Sequence, residues 1–158
     1  VSANPLAEMA TKLVEKYIEK GKDTVLDVGC GSGILAIAAA LSGASDVLAV
    51  DIDPTAVQVS KDNVELNRLS SKIRVLEGDL AKGLDVKVDI VVANLIADLV
   101  ILLSKDIPAH LRDGGIYISS GILIEKKEQV VSAIEECGFK ILEILEEEGW
   151  CCIKDKIP

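Results

Sequence analysis

The chain has 158 residues, of which 49% are hydrophobic and 3% aromatic, and a formal net charge of −9. That length suits a single domain spanning residues 1–158; no apolar run reaches the ~18 residues a membrane helix needs, and the excess of carboxylates disfavours direct contact with a nucleic-acid backbone. No basic region followed by an apolar core stands at the N-terminus, and Cys30, Cys137, Cys151 and Cys152 form no C-x-x-C pair, so a soluble cytoplasmic protein without a metal centre is expected.

In chain order, Ser2, Ala3 and Asn4 form a polar lead. Pro5 then opens a helix on which Leu6, Met9, Leu13, Tyr17 and Lys20 recur at three- and four-residue steps down to Gly21. Val25, Leu26 and Val28 read as a buried strand, Gly29, Gly31 and Gly33 as a tight loop, and Ile34 to Leu41 as a wholly apolar helix closed by Gly43. Val47 to Val50 form the next strand, ending in Asp51. In a parallel sheet this unit brings the glycine loop and the acid together at the carboxyl edge of the strands, where α/β sheets bind ligands.

The glycine spacing narrows the ligand. A dinucleotide fingerprint, G-x-G-x-x-G, would place its third glycine at Ile34; the chain has instead Asp27-x-Gly29-x-Gly31-x-Gly33, with no lysine or arginine after it to grip a diphosphate. A nucleoside without phosphates fits better. A carboxylate at position 51 can accept bidentately, through strong charge-assisted hydrogen bonds.

Asp53-Pro54 reads as an N-cap followed by a first-turn proline. The helix it opens reaches about Asn67, with Ala56, Val57, Ser60 and Val64 inward. Ile73, Val75 and Leu76 form a strand leading to Glu77-Gly78-Asp79-Leu80, where Asp79 is either a ligand contact or a solvated turn residue. The strand Val88 to Ala93 runs into Asn94, which is either a helix N-cap or an amide that accepts a hydrogen bond from a substrate amine. A helix is expected from Leu95 to Asp106, a strand from Ile116 to Ser119 after Gly114-Gly115, and a turn at Ser120-Gly121. A helix from Glu125 to Cys137, capped by Gly138, precedes two paired strands, Phe139 to Leu145 and Gly149 to Lys154, joined by the acidic turn Glu146-Glu147-Glu148. Cys151 and Cys152, adjacent on a strand, should face opposite sides of the sheet, and His110 is expected to be exposed.

The D-x-G-x-G-x-G loop resembles motif I of the S-adenosylmethionine-dependent methyltransferases. The blocks V-L-D-V-G-C-G-S-G-I-L-A-I-A-A, V-D-I-D-P-T-A-V, V-A-N-L-I-A, S-S-G-I-L and E-E-G-W-C-C-I resemble more specifically the catalytic domain of the PrmA family, which methylates ribosomal protein L11. The resemblance implies a Rossmann-like class I methyltransferase fold: a seven-stranded, mostly parallel sheet with an antiparallel C-terminal strand and helices on both faces. It implies S-adenosylmethionine as cofactor, with Asp27, Gly29, Cys30, Gly31, Gly33, Asp51, Ile52, Asp79, Leu80 and Asn94 as contacts and Asn94 also catalytic. It further implies a basic ribosomal protein as partner, methylated at lysine or N-terminal amines, and a separate N-terminal recognition domain absent from these residues. Leu95, Ile96 and Ala97 offer no ring to stack on a planar target, which favours a flexible aliphatic amine. Two other readings remain, a non-catalytic cofactor-binding module and, more distantly, a nicotinamide-dependent oxidoreductase.

Overall fold

The computed structural model describes residues 5–18 and 23–158, without the side chains of 5–7 and 17. The expected lead at Ser2, Ala3 and Asn4 and the helix end at Lys20 and Gly21 lie outside the described residues. Helices α1 (Pro5–Tyr17), α2 (Ile34–Leu41), α3 (Pro54–Leu66), α4 (Ala97–Ser104) and α5 (Lys127–Glu136) surround strands β1 (Thr24–Val28), β2 (Asp46–Asp51), β3 (Ile73–Glu77), β4 (Val88–Asn94), β5 (Leu111–Leu123), β6 (Lys140–Glu147) and β7 (Trp150–Lys156). None of the described helices is long and apolar enough to cross a membrane.

The strands form one sheet in the order β3-β2-β1-β4-β5-β7-β6. Only β7 runs against its neighbours, β5 and β6. This is the Rossmann-like methyltransferase arrangement that the sequence implies. Helices cover both faces, which is why β1, β2 and β4 read as continuous apolar runs rather than alternating ones. Met9, Leu13, Ala36, Val57 and Val64 pack with Val25, Val47 and Val92 on one face. Val100, Leu103, Val130 and Ile134 pack with Leu26, Leu48 and Val91 on the other. Cys152 belongs to the first cluster and Cys151 to the second, as strand alternation requires. The chain order reverses beside β1, whose neighbours are β2 and β4, and a crevice opens at the carboxyl ends of those three strands.

Several boundaries differ from expectation, each for a local reason. Helix α4 starts at Ala97 with Ile96 as its N-cap, rather than at Leu95. Asn94 is still paired with Ser120 of β5, and the Leu95 amide donates to the Ser120 carbonyl at 3.1 Å, so the chain stays extended. The helix ends at Ser104, and Pro108 sits in a separate 3-10 turn, Ile107–His110. Strand β5 runs from Leu111 to Leu123 instead of stopping at Ser119. Its Gly114-Gly115 and Ser120-Gly121 pairs are absorbed as irregularities where register slips against β4 and β7. A 3-10 turn at Ile124–Lys126 delays α5 to Lys127, and the last hairpin turns at Glu148-Gly149, so β6 and β7 are both longer than expected. His110 is buried rather than exposed: the 3-10 turn tucks its ring inward, where Nδ1 lies 3.0 Å from the Val86 carbonyl oxygen. A carbonyl only accepts, so Nδ1 carries the proton.

Candidate active site

The glycine loop leaves β1 pinned to its neighbour, for the backbone amides of Gly29 and Cys30 both donate to the Val50 carbonyl, at 2.8 and 3.0 Å. Gly29 has φ +74°, and a Cβ there would sit 2.5 Å from Leu95 Cδ2. Conformation and space both demand glycine. Helix α3 reaches back to hold the loop from outside: Ser60 Oγ donates to the Gly31 carbonyl at 2.6 Å and Asn63 Nδ2 to the Ser32 carbonyl at 2.8 Å.

Asp51, the last residue of β2, is oriented by two backbone amides. Gly31 donates to Oδ2 and Asp53 to Oδ1, each at 2.9 Å. Each carboxylate oxygen keeps a further lone pair for a ligand. The expected N-cap follows, with the Thr55 amide donating to Asp53 Oδ1 at 2.9 Å and Pro54 opening the helix.

Gly29, Asp51, Ile52, Asp79, Leu80 and Asn94 line one cavity of about 280 Å³, completed by Gly78, Leu95 and Leu99. Asp79 stands just beyond β3, half-exposed, with Lys82 Nζ 3.2 Å from Oδ2. Asn94 is the last residue of β4 and does not cap α4, so the N-cap alternative falls. Gly31 and Gly33 shape the loop from beneath: Gly33, at φ +87°, opens α2 and lies under Ser60.

Asp27 and Cys30 are buried and do not line this cavity. Neither Asp27 carboxylate oxygen has a hydrogen bond of normal geometry among the described residues. Burial pushes Asp27 up to about 7, against the pull of the Ala36 backbone amide, and the charge of Asp51 adds to the rise. Burial likewise pushes the Cys30 thiol up to about 12, which leaves no thiolate for chemistry at neutral pH.

Sequence reasoning gives no site role to Gly78, Leu99, Ser60 or Asn63, and names Leu95 only for the ring it lacks. Gly78 left a signal in the Gly78-Asp79 pair, since a Cβ there would press 2.9 Å from Val50 Cγ1. The others follow only from three-dimensional packing. Among the described residues, no lysine or arginine lines the cavity. Its donors and acceptors, two carboxylates, an amide and a glycine loop, fit a nucleoside and not a diphosphate.

Comparison with known proteins agrees with this chemistry. The family model described as ribosomal protein L11 methyltransferase (PrmA) matches residues 4–157. A Clostridium botulinum ribosomal protein L11 methyltransferase is 49% identical over 149 residues, 94% of this chain and 47% of the relative. The Carboxydothermus hydrogenoformans protein of the same name is 46% identical over 145 residues, 92% of this chain and 47% of the relative. The chain thus spans about half the length of the curated relatives it matches. A crystal structure of ribosomal protein L11 methylase from Lactobacillus delbrueckii subsp. bulgaricus superposes with a TM-score of 0.90 at 31% identity, covering 98% of this chain and 80% of that one. The chain belongs to the PrmA family of S-adenosylmethionine-dependent ribosomal protein L11 methyltransferases.

Proposed function

We propose that this chain is the catalytic unit of a methyltransferase that transfers methyl groups from S-adenosylmethionine to amines of a basic protein, ribosomal protein L11 or a close counterpart, in the cytoplasm. The observation that carries the reading is Asp51, which two backbone amides hold while each of its oxygens keeps a lone pair for a ligand, in the wall of a cavity that Gly29 and Asn94 also line.

In this reading Asp51 accepts hydrogen bonds from the ribose hydroxyls and Asp79 from the adenine amino group, while the glycine loop lets the backbone approach the amino-acid tail. Held by these residues, S-adenosylmethionine would supply an electrophilic methyl on a sulfonium, open to displacement by an amine lone pair with the S–C electron pair left on sulfur and a proton given up to water. Asn94 Oδ1 accepts an N–H of the incoming amine and so aims its lone pair at the methyl. Positioning lowers the barrier. The cavity offers no histidine or cysteine as a base, so the amine, with an ordinary pKa near ~10.4, must lose its proton on entering a desolvated site.

The test is calorimetric titration with S-adenosylmethionine and, separately, with a nicotinamide dinucleotide, followed by assay of labelled methyl transfer to purified L11. Saturable binding of the former alone, with label entering L11, is expected. Cofactor binding without transfer to any amine would replace this reading by that of a binding module. Binding of the dinucleotide alone would overturn it.

A further inference from the structure

Gly31, in the middle of the glycine loop, has φ +55°, and a Cβ built on it would meet no atom within 4 Å. No packing on that side fixes it. Two hydrogen bonds do so instead: its amide donates to Asp51 Oδ2 at 2.9 Å, and its carbonyl accepts from Ser60 Oγ at 2.6 Å. One glycine thus joins the carboxylate that ends β2 to a hydroxyl on α3. Ser60 is wholly buried. A serine inside a helix can return its proton to the carbonyl four residues back, as Ser104 does to Val100 at 2.6 Å. Ser60 sends its proton out of the helix to Gly31. Because a carbonyl only accepts, the Ser60 oxygen has lone pairs left for the Cys30 thiol 3.4 Å away, and Cys30 is the donor of that contact. The proton order is therefore fixed, from Cys30 Sγ to Ser60 Oγ to the Gly31 carbonyl.

We propose that Ser60 is a positioning residue for the cofactor's ribose, acting through Gly31 on the carboxylate of Asp51. The proposal rests on the reading of Asp51 as the ribose acceptor and adds the residue that sets how that acceptor is presented. Glycine is the most permissive residue, so without the bond to Ser60 the Gly31 backbone can leave its left-handed conformation. Its amide then no longer holds Asp51 Oδ2, and the carboxylate loses the orientation that leaves one lone pair of each oxygen for a hydroxyl. The neighbouring contact supplies a control. Asn63, also on α3, donates from Nδ2 to the Ser32 carbonyl at 2.8 Å, and that bond does not lead to Asp51. Both residues tie α3 to the loop, but only Ser60 is connected through a single residue to the ribose acceptor.

Calorimetric titration with S-adenosylhomocysteine and with its 2′-deoxyadenosine counterpart separates this role from a merely structural one and needs no turnover. The wild type should bind the ribose form about tenfold more tightly than the deoxy form, since one hydroxyl is lost from a charge-assisted pair. Ser60→Ala removes a single oxygen from a helix and adds no bulk, so the fold is kept, which urea unfolding checks. It should shrink the ribose preference at least about threefold, by weakening the ribose form and sparing the deoxy form. Asn63→Ala should weaken both ligands by the same factor and leave the preference at its wild-type value. An unchanged preference in Ser60→Ala, or an equal fall of the preference in both variants, would overturn the role of Ser60 and leave Asp51 as the ribose acceptor. A wild type that binds both forms equally would overturn the reading of Asp51, and this inference with it.

Discussion

Replacing Asp155 by asparagine should change stability by an amount that grows with pH. Asp155 lies on β7 between Tyr117 of β5 and Ile141 of β6, has no exposed surface, and neither carboxylate oxygen has a hydrogen-bond partner among the described residues. Burial pushes its pKa from the ordinary 3.8 up to about 9. The native state therefore keeps a proton that the unfolded chain gives up above roughly pH 4, as for any free aspartate. With more protons bound in the native state, stability falls as pH rises, by about 1.4 kcal/mol per unit, from the unfolded value until the folded group ionises. Asparagine has no such slope. Its own buried amide costs a pH-independent amount of about 1–3 kcal/mol, so the sign at any one pH is less informative than the trend. Between pH 6 and pH 8 the stability of the variant relative to wild type should rise by about 3 kcal/mol. Asp27, which also titrates with a raised pKa, is present in both proteins and cancels from the difference. Urea unfolding at half-unit steps of pH measures it. Two parallel stability curves would show that Asp155 is solvated or paired in solution, and would refute the reasoning.

Three further outcomes concern the site. Asp51→Asn should weaken S-adenosylmethionine binding about 10- to 100-fold by calorimetry, since charge-assisted bonds become neutral ones and the new amide cannot satisfy both the Gly31 and Asp53 donors. Asn94→Ala should reduce turnover on L11 by about 100-fold while cofactor affinity falls only a few-fold; equal losses would contradict its role in placing the amine. Gly29→Ala should abolish cofactor binding and lower stability by about 1–3 kcal/mol. Adding Leu95→Ala to it should restore part of that stability if the contact at 2.5 Å dominates, and none if the positive φ does.

The sequence is most legible where local signals agree. Helix α2 was readable to the residue because an uninterrupted apolar run sits between Gly33 and Gly43, and β1 and β2 because both faces of a parallel sheet are covered. Strand β5 was not. Its Gly114-Gly115 and Ser120-Gly121 pairs look like breaks in isolation, and only the hydrogen bonds from β4 and β7 on either side carry the strand through them. The start of α4 is hidden for the same reason, because Ser120 holds Asn94 and Leu95 extended. His110 was misplaced because nothing near it in sequence announces the Val86 carbonyl it meets. Within the site, the spacing from Asp27 to Asp51 pointed to the glycine loop and the acid. The grip of Ser60 and Asn63 on the loop gave no such hint, since it depends on how α3 folds back over it.

The position of β7 has a consequence for how the molecule assembles. It is the last strand of the sheet in sequence, yet it lies inside the sheet, between β5 and β6. During synthesis the β5 edge must stay unpaired until the β6–β7 hairpin emerges and inserts as a unit. Pairings between distant parts of a chain are slow to form, and an open apolar edge is a template for aggregation. The same strand carries Asp155 into the interior, so that buried carboxyl too is enclosed only at this step. A nascent chain stalled before Trp150 therefore leaves the long β5 edge open to any extended segment that meets it.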